Sequence, residues 1–244
     1  MNSIRRRLVP SLLLGASALA ALPAWADDDF VVYSPYVTQG QSEVEVRGHQ
    51  VSDVDPTLQG ERAYEISVSH SFTGWWRPEI YLGSYERAPG QANSLDGYEF
   101  ENTFQLSDSG EYWVDLGLLA SYEYKAQPGV TSKLEFGPLF EKRSGRIDQR
   151  LNLIWEKQLG GGAGRRYEFR ADYAATYTLQ SWLAPGFEAY YRPADDSHQI
   201  GPALYGELPN AAGDEFEYSV AMVFGANTGA PNRTCILRLE YEFY

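Results

Sequence analysis

From residue 43 to the C-terminus, polar and apolar side chains alternate with a period of two. Nothing after residue 26 approaches the run of about 20 apolar residues that a membrane-spanning helix needs. In residues 43–49, Glu43, Glu45, Arg47 and His49 share one face, and Val44, Val46 and Gly48 share the other. Residues 64–72 set Tyr64, Ile66, Val68, His70 and Phe72 against Glu65, Ser67, Ser69 and Ser71. Residues 98–106 set Tyr98, Phe100, Phe104 and Leu106 against Glu99, Glu101, Thr103 and Gln105. Successive side chains of a strand point to opposite faces, so the pattern predicts strands, and helical spacing fails throughout. The expected segments are 43–52, 61–72, 76–86, 97–106, 111–124, 132–142, 147–158, 166–178, 182–192, 198–208, 214–225 and 234–244. At roughly 9–11 residues each, they have the length of tilted strands that cross a bilayer.

A soluble β-sandwich with one wet face would show the same alternation. Two features favour a membrane barrel. Aromatic residues recur near both ends of the apolar face, as in Tyr64/Phe72, Tyr98/Phe104, Tyr112/Tyr124 and Tyr167/Tyr177, the positions of interfacial girdles. The chain ends in CILRLEYEFY, with Leu237, Leu239, Tyr241 and Phe243 on one face and Arg238, Glu240 and Glu242 on the other. Longer connections then alternate with shorter ones, the asymmetry of bacterial outer-membrane barrels with both termini in the periplasm. Pro138, Pro185 and Pro202 each fall inside an expected strand beside a glycine; bulges are expected there, and if those segments do not span, the strand count falls to ten.

Residues 1–26 read as a secretory signal peptide: Arg5, Arg6 and Arg7 precede an apolar stretch, and Ala24-Trp25-Ala26 carries small residues at the cleavage positions. The whole chain has a net charge of −13; beyond residue 26 there remain 17 basic and 33 acidic residues. Strong negative charge excludes a phosphate-binding nucleic-acid partner, and the single Cys235 excludes an internal disulfide or a thiolate zinc cluster.

With the apolar face outward, the polar face lines a lumen. Its candidate solute-binding residues are Glu45, Arg47, Glu65, Arg77, Glu79, Glu99, Glu101, Asp115, Arg150, Arg170, Arg238 and Glu240. Acidic excess in a pore favours cations or polyhydroxylated solutes; arginine–carboxylate pairs that only satisfy one another would instead make a plug. Glu79, Glu99, Glu101 and Asp115 lie on neighbouring strands, the one grouping that suggests Ca²⁺, but no known loop motif supports it and no metal or cofactor is expected. No catalytic residue is expected either: His70 and Ser71 point to opposite faces, which leaves His49 as the sole inward-facing base.

The stretches QGQSEVEVRG, GYEFENTFQL, EFGPLFEK, IDQRLNLIWEKQ and LEYEFY resemble a group of short proteobacterial outer-membrane proteins, and the last resembles their C-terminal targeting strand, with Tyr244 added after the in-phase Phe243. General architecture also resembles transporter-like barrels of aromatic-degradation pathways. The resemblance implies fold and location and carries over no site residue. The expectation is an all-β, closed antiparallel transmembrane barrel of about twelve strands over residues 27–244, meeting outer-membrane lipid and lipopolysaccharide, inserted by the barrel-assembly machinery, and acting as a narrow channel for small polar or cationic solutes. The alternative is a plugged structural or ligand-binding barrel, or a lipid-modifying enzyme.

Overall fold

The alternation of β-branched and aromatic residues with polar ones builds an all-antiparallel sheet in which each strand pairs with its sequence neighbours. A computed structural model describes residues 30–244; the leader read at residues 1–26 lies outside them. The described residues form β1 (Ser42–Ser52), β2 (Arg62–His70), β3 (Trp76–Arg87), β4 (Ser94–Gln105), β5 (Asp115–Lys125) and β6 (Ser132–Ser144). They continue with β7 (Ile147–Leu159), β8 (Glu168–Tyr177), β9 (Ala184–Arg192), β10 (Ser197–Pro209), β11 (Glu215–Gly225) and β12 (Arg233–Phe243). Strand β1 pairs with β12, from Ser42 opposite Phe243 to Ser52 opposite Arg233, so the sheet closes into a barrel with no free edge. We call the end with Ser42 and Phe243 the near end, and the opposite one the far end.

The exterior is apolar. Val44, Ile80, Phe100, Tyr122, Phe136, Ile147, Phe187, Ile200, Val220 and Leu237 are exposed, and they come from strands all round the barrel. An apolar surface of that extent is not stable in water and identifies a lipid-facing wall. Tyr98 and Tyr124 rim the far end and Phe72 the near end; Tyr112 and Tyr167 sit in the connections just before β5 and β8.

Three expectations need correction. Connection lengths are less asymmetric than expected, because the near-end connection 106–114 is as long as the far-end connection 53–61. Local bonds hold this loop: the Asp115 carboxylate accepts from the Gly110 N–H at 2.8 Å, and Ser107 Oγ accepts from the Leu116 N–H at 2.9 Å. Secondly, the prolines do not coincide with bulges. The β6–β7 register is the same on both sides of Pro138, and the β10–β11 register the same on both sides of Pro202. A lipid-facing proline there loses one ladder bond, and the inward glycine before it lets the next strand close in. A Cβ on Gly137 would lie 1.9 Å from the Leu153 carbonyl oxygen. Thirdly, the register shifts at β2–β3 and β3–β4 instead, around Leu82. The extra residue inverts the phase of β3, so that Tyr81 and Ser84 are both buried.

Candidate functional site

The inward phase is as the alternation implies. Glu43, Glu45 and Arg47 of β1, Glu79 of β3, Glu101 of β4, Asp115 of β5, Arg170 of β8 and Glu240 of β12 are all buried inside the barrel. The surprise is what shares the lumen with them. Residues 30–41 precede β1 and run inside the barrel, from Phe30 in the far half to Gln41 at the near end. Val31 and Tyr33 pack on Leu119, Leu139 and Ile154; Phe30 and Val32 pack with Ala174, Tyr190, Val223 and Ile236. These strand residues occupy inward positions where a water-filled pore would carry polar groups.

Side chains from several strands satisfy the segment's own polar groups. Asn152 grips Tyr33 from both sides: its Oδ1 accepts from the Tyr33 N–H at 2.7 Å, and its Nδ2 donates to the Tyr33 carbonyl at 3.0 Å. The Val37 N–H donates to Gln105 Oε1 at 2.7 Å, and Ser34 Oγ donates to Glu141 at 2.6 Å. Tyr36 donates its hydroxyl to Asp115 at 2.6 Å, and burial together with that bond pushes its pKa up to about 12, so it stays a donor. The segment joins β1 through Gly40, which has φ 85° and donates its N–H to the Ser71 carbonyl at 2.8 Å. Fixing each backbone residue costs about 1–2 kcal/mol, and burying each large apolar side chain stabilises by about 1.5–3 kcal/mol. With Phe30, Val31, Val32, Tyr33 and Val37 buried, the segment is held by a difference between terms of similar size.

The charged residues fall into two groups. In the far half and at mid-depth the buried Arg170, Lys133, Lys125 and Arg47 each meet a carboxylate. Arg170 contacts Asp172 at 2.6 Å, Glu156 at 2.9 Å and Glu135 at 3.0 Å. Lys133 contacts Glu135 at 2.7 Å, and Lys125 contacts Asp96 and Glu123. Arg47 contacts Glu65 at 2.7 Å, takes the Tyr81 hydroxyl at 2.6 Å and reaches the Tyr33 hydroxyl. Glu99 lines the residual space beside them, a cavity of about 40 Å³. Opposite charges set across neighbouring strands are the favourable arrangement for such pairs.

The near half is more open. Two contiguous cavities of about 260 and 440 Å³ share Arg143, Arg150, Glu207, Glu217, Arg238 and Glu240 in their walls. Arg77 pairs with Glu43 at 2.9 Å, Arg150 with Asp148 at 3.0 Å, and Arg238 with Glu240 at 2.8 Å and with Glu45. Carboxylates outnumber these cations. Across β10, β11, β12 and β1, Glu207 stands opposite Glu217, Glu217 opposite Glu240, and Glu240 opposite Glu45. One row nearer the mouth, Glu215 faces Glu242 and Glu242 faces Glu43. No ion pair joins Glu207, Glu215 or Glu217 among the described residues.

Of the twelve candidate residues, the structure gathers Arg77, Arg150, Arg238, Glu240 and Glu45 about the near-end vestibule. Arg47, Glu65, Glu99 and Arg170 belong to the tighter far-half network, and Glu101 is buried at mid-depth. Glu79 takes a hydrogen bond from Ser67, and Asp115 is engaged by Tyr36. The Glu79, Glu99, Glu101 and Asp115 grouping does not converge: Glu101 stands opposite Ser121 of β5, six residues, roughly 20 Å, along that strand from Asp115. Carboxylates that do approach one another are Glu43, Glu240 and Glu242, and Glu215, Glu217 and Glu242, with oxygens within 4.8 Å in each set. His49 lies edge-on to the Phe30 ring at 4.8 Å, and His70 on the outer face bonds Ser42. The residues the alternation did not single out are Phe30–Tyr33, Asn152, Tyr190 and Tyr205.

A closed twelve-strand barrel with an apolar exterior and a charged interior defines a transmembrane β-barrel. No family model and no curated protein sequence matches the chain. Among solved structures it is similar to an outer membrane channel from Pseudomonas putida F1, with a TM-score of 0.59 and 12% identity, covering 88% of this chain and 98% of that one. At that identity the likeness speaks for the fold. A bacterial polysaccharide outer membrane secretin aligns at a TM-score of 0.35 and 10% identity over 84% of this chain and 99% of its own, too loosely to bear on the fold.

Proposed function

We propose that this chain is an outer-membrane channel for small polar solutes, with a preference for cations, and that its near end faces the periplasm. The observation that carries the reading is the near-end vestibule. Its cavities of about 260 and 440 Å³ have room for a hydrated ion or a small solute, and its arginines are spent in pairs while Glu207, Glu215 and Glu217 remain. Carboxylate rings favour cations. Shared fold with an outer membrane channel is consistent with this use of the lumen. The lipid-facing wall would meet outer-membrane lipid, and lipopolysaccharide on its far-end side.

The far half, with only about 40 Å³ free, favours the alternative of a closed structural or ligand-binding barrel. Planar-bilayer recording of refolded protein separates them. A KCl gradient across the bilayer should give conductance with a reversal potential on the cation side. Silence from the wild type and from the variants described below would sink the channel reading, and a solute co-purifying from native membranes would then speak for ligand binding.

A further inference from the structure

We propose that residues Phe30–Gln41 are a gate: a segment of the chain that closes the lumen by docking in it and opens by withdrawing toward the near end. The inference rests on the channel reading and adds what controls it.

Four observations carry it. The segment is not part of the wall, because the twelve strands close on one another without it. It is tied by side chains, Asn152 on Tyr33 and Gln105 on Val37, rather than by a strand ladder, so release of a few contacts frees it without opening the barrel. Its docking surface is specific. The alternation that makes other lumen positions polar is broken at Leu119, Leu139, Ile154, Val223 and Ile236, and these residues meet the apolar Phe30–Tyr33. Finally, it has somewhere to go. Tyr33, Ser34, Tyr36, Val37, Thr38 and Gln41 form one wall of the 440 Å³ cavity, and among the described residues the segment is joined covalently to the barrel at the near end, beyond Gly40. Withdrawal therefore runs through the open half of the lumen, and it vacates the half that is closed.

The test is made on the full chain in planar bilayers, with folding checked by heat-modifiable gel mobility. In a Cys235→Ser background, Tyr33→Cys with Asn152→Cys would form a disulfide that fixes the segment in its dock. Expected is a silent oxidised protein that gains conductance on reduction and loses it on reoxidation. Deleting residues 30–37 should give permanently open channels. Asn152→Ala removes two hydrogen bonds from Tyr33 and should raise the open fraction about tenfold. If the oxidised pair, the reduced pair and the deletion all conduct like the wild type, the gate is overturned while the channel reading stands. If the deletion folds and is silent, the channel reading fails, and the gate with it.

Discussion

The two halves of the lumen use the same residue types on the same strands and reach opposite results. In the far half, Arg170, Lys125 and Lys133 are matched by carboxylates and the remaining space is taken by Phe30–Tyr33. In the near half the same alternation delivers more carboxylates than cations around open volume. The difference is one of stoichiometry and filling, not of pattern. A buried ion pair that lacks water must be complete, because desolvation of either partner alone is expensive. A wall that water reaches can tolerate unpaired carboxylates, and those are the groups free to meet a solute.

The largest expected effect follows directly. Arg170 is 1% exposed and serves three carboxylates, so Arg170→Met leaves Glu135, Glu156 and Asp172 short of a cation, at a cost of about 3–5 kcal/mol. Arg150, on the vestibule wall, is 19% exposed and contacts Asp148 and Glu141, which Arg143 also serves, so Arg150→Met should cost less, about 1–3 kcal/mol. Urea unfolding in lipid vesicles compares the two; equal losses would erase the distinction between the halves. Next comes Leu139→Ala. Leu139 is fully buried against the docked segment, and its truncation should cost about 2–5 kcal/mol if the segment stays docked. A much smaller loss accompanied by a rise in conductance would mean that the segment leaves before the cavity is felt.

How much of this was legible in the sequence differs between wall and filling. Strand positions and their inward phase followed from local alternation, because on a barrel wall one face meets lipid all the way along. Leu82 escaped that logic: one extra residue opposite Ile66 and Ser67 reverses the phase of β3, and nothing in the local composition marks it. The docked segment escaped for another reason. FVVYSPYV has no period, and its partners Asn152, Gln105, Glu141 and Asp115 are scattered over four strands. A clue was nevertheless present. Leu119, Leu139, Ile154 and Ile236 stand on the inward phase of otherwise polar faces, and an apolar patch in a lumen needs an occupant. Glu79, Glu99, Glu101 and Asp115, neighbours by strand order, do not converge because adjacency of strands says nothing about height along them; register set Asp115 near one end and Glu101 at mid-depth.

The vestibule gives a smaller effect of opposite sign. Glu217 stands directly opposite both Glu207 and Glu240, and like charges so placed are unfavourable. Glu217→Gln should therefore stabilise slightly, by about 0.2–1 kcal/mol, while moving the reversal potential toward zero. A stabilised variant with unchanged selectivity would put the solute path elsewhere.

The smallest effect lies outside both halves, in the near-end turn 210–214. Asp214 accepts from the Tyr241 hydroxyl and the Asn210 side chain, both at 2.9 Å, and these bonds hold its carboxyl below the usual carboxylate range. A depressed folded-state pKa contributes stability above the unfolded value and loses it as pH falls through the folded one. Asp214→Asn should therefore leave a slightly reduced unfolding midpoint at neutral pH and almost no difference from the wild type once the pH is below the carboxylate range. Because none of residues 210–214 lines the vestibule cavities, this variant should leave single-channel conductance unchanged, which makes it the control against which the lumen variants are read.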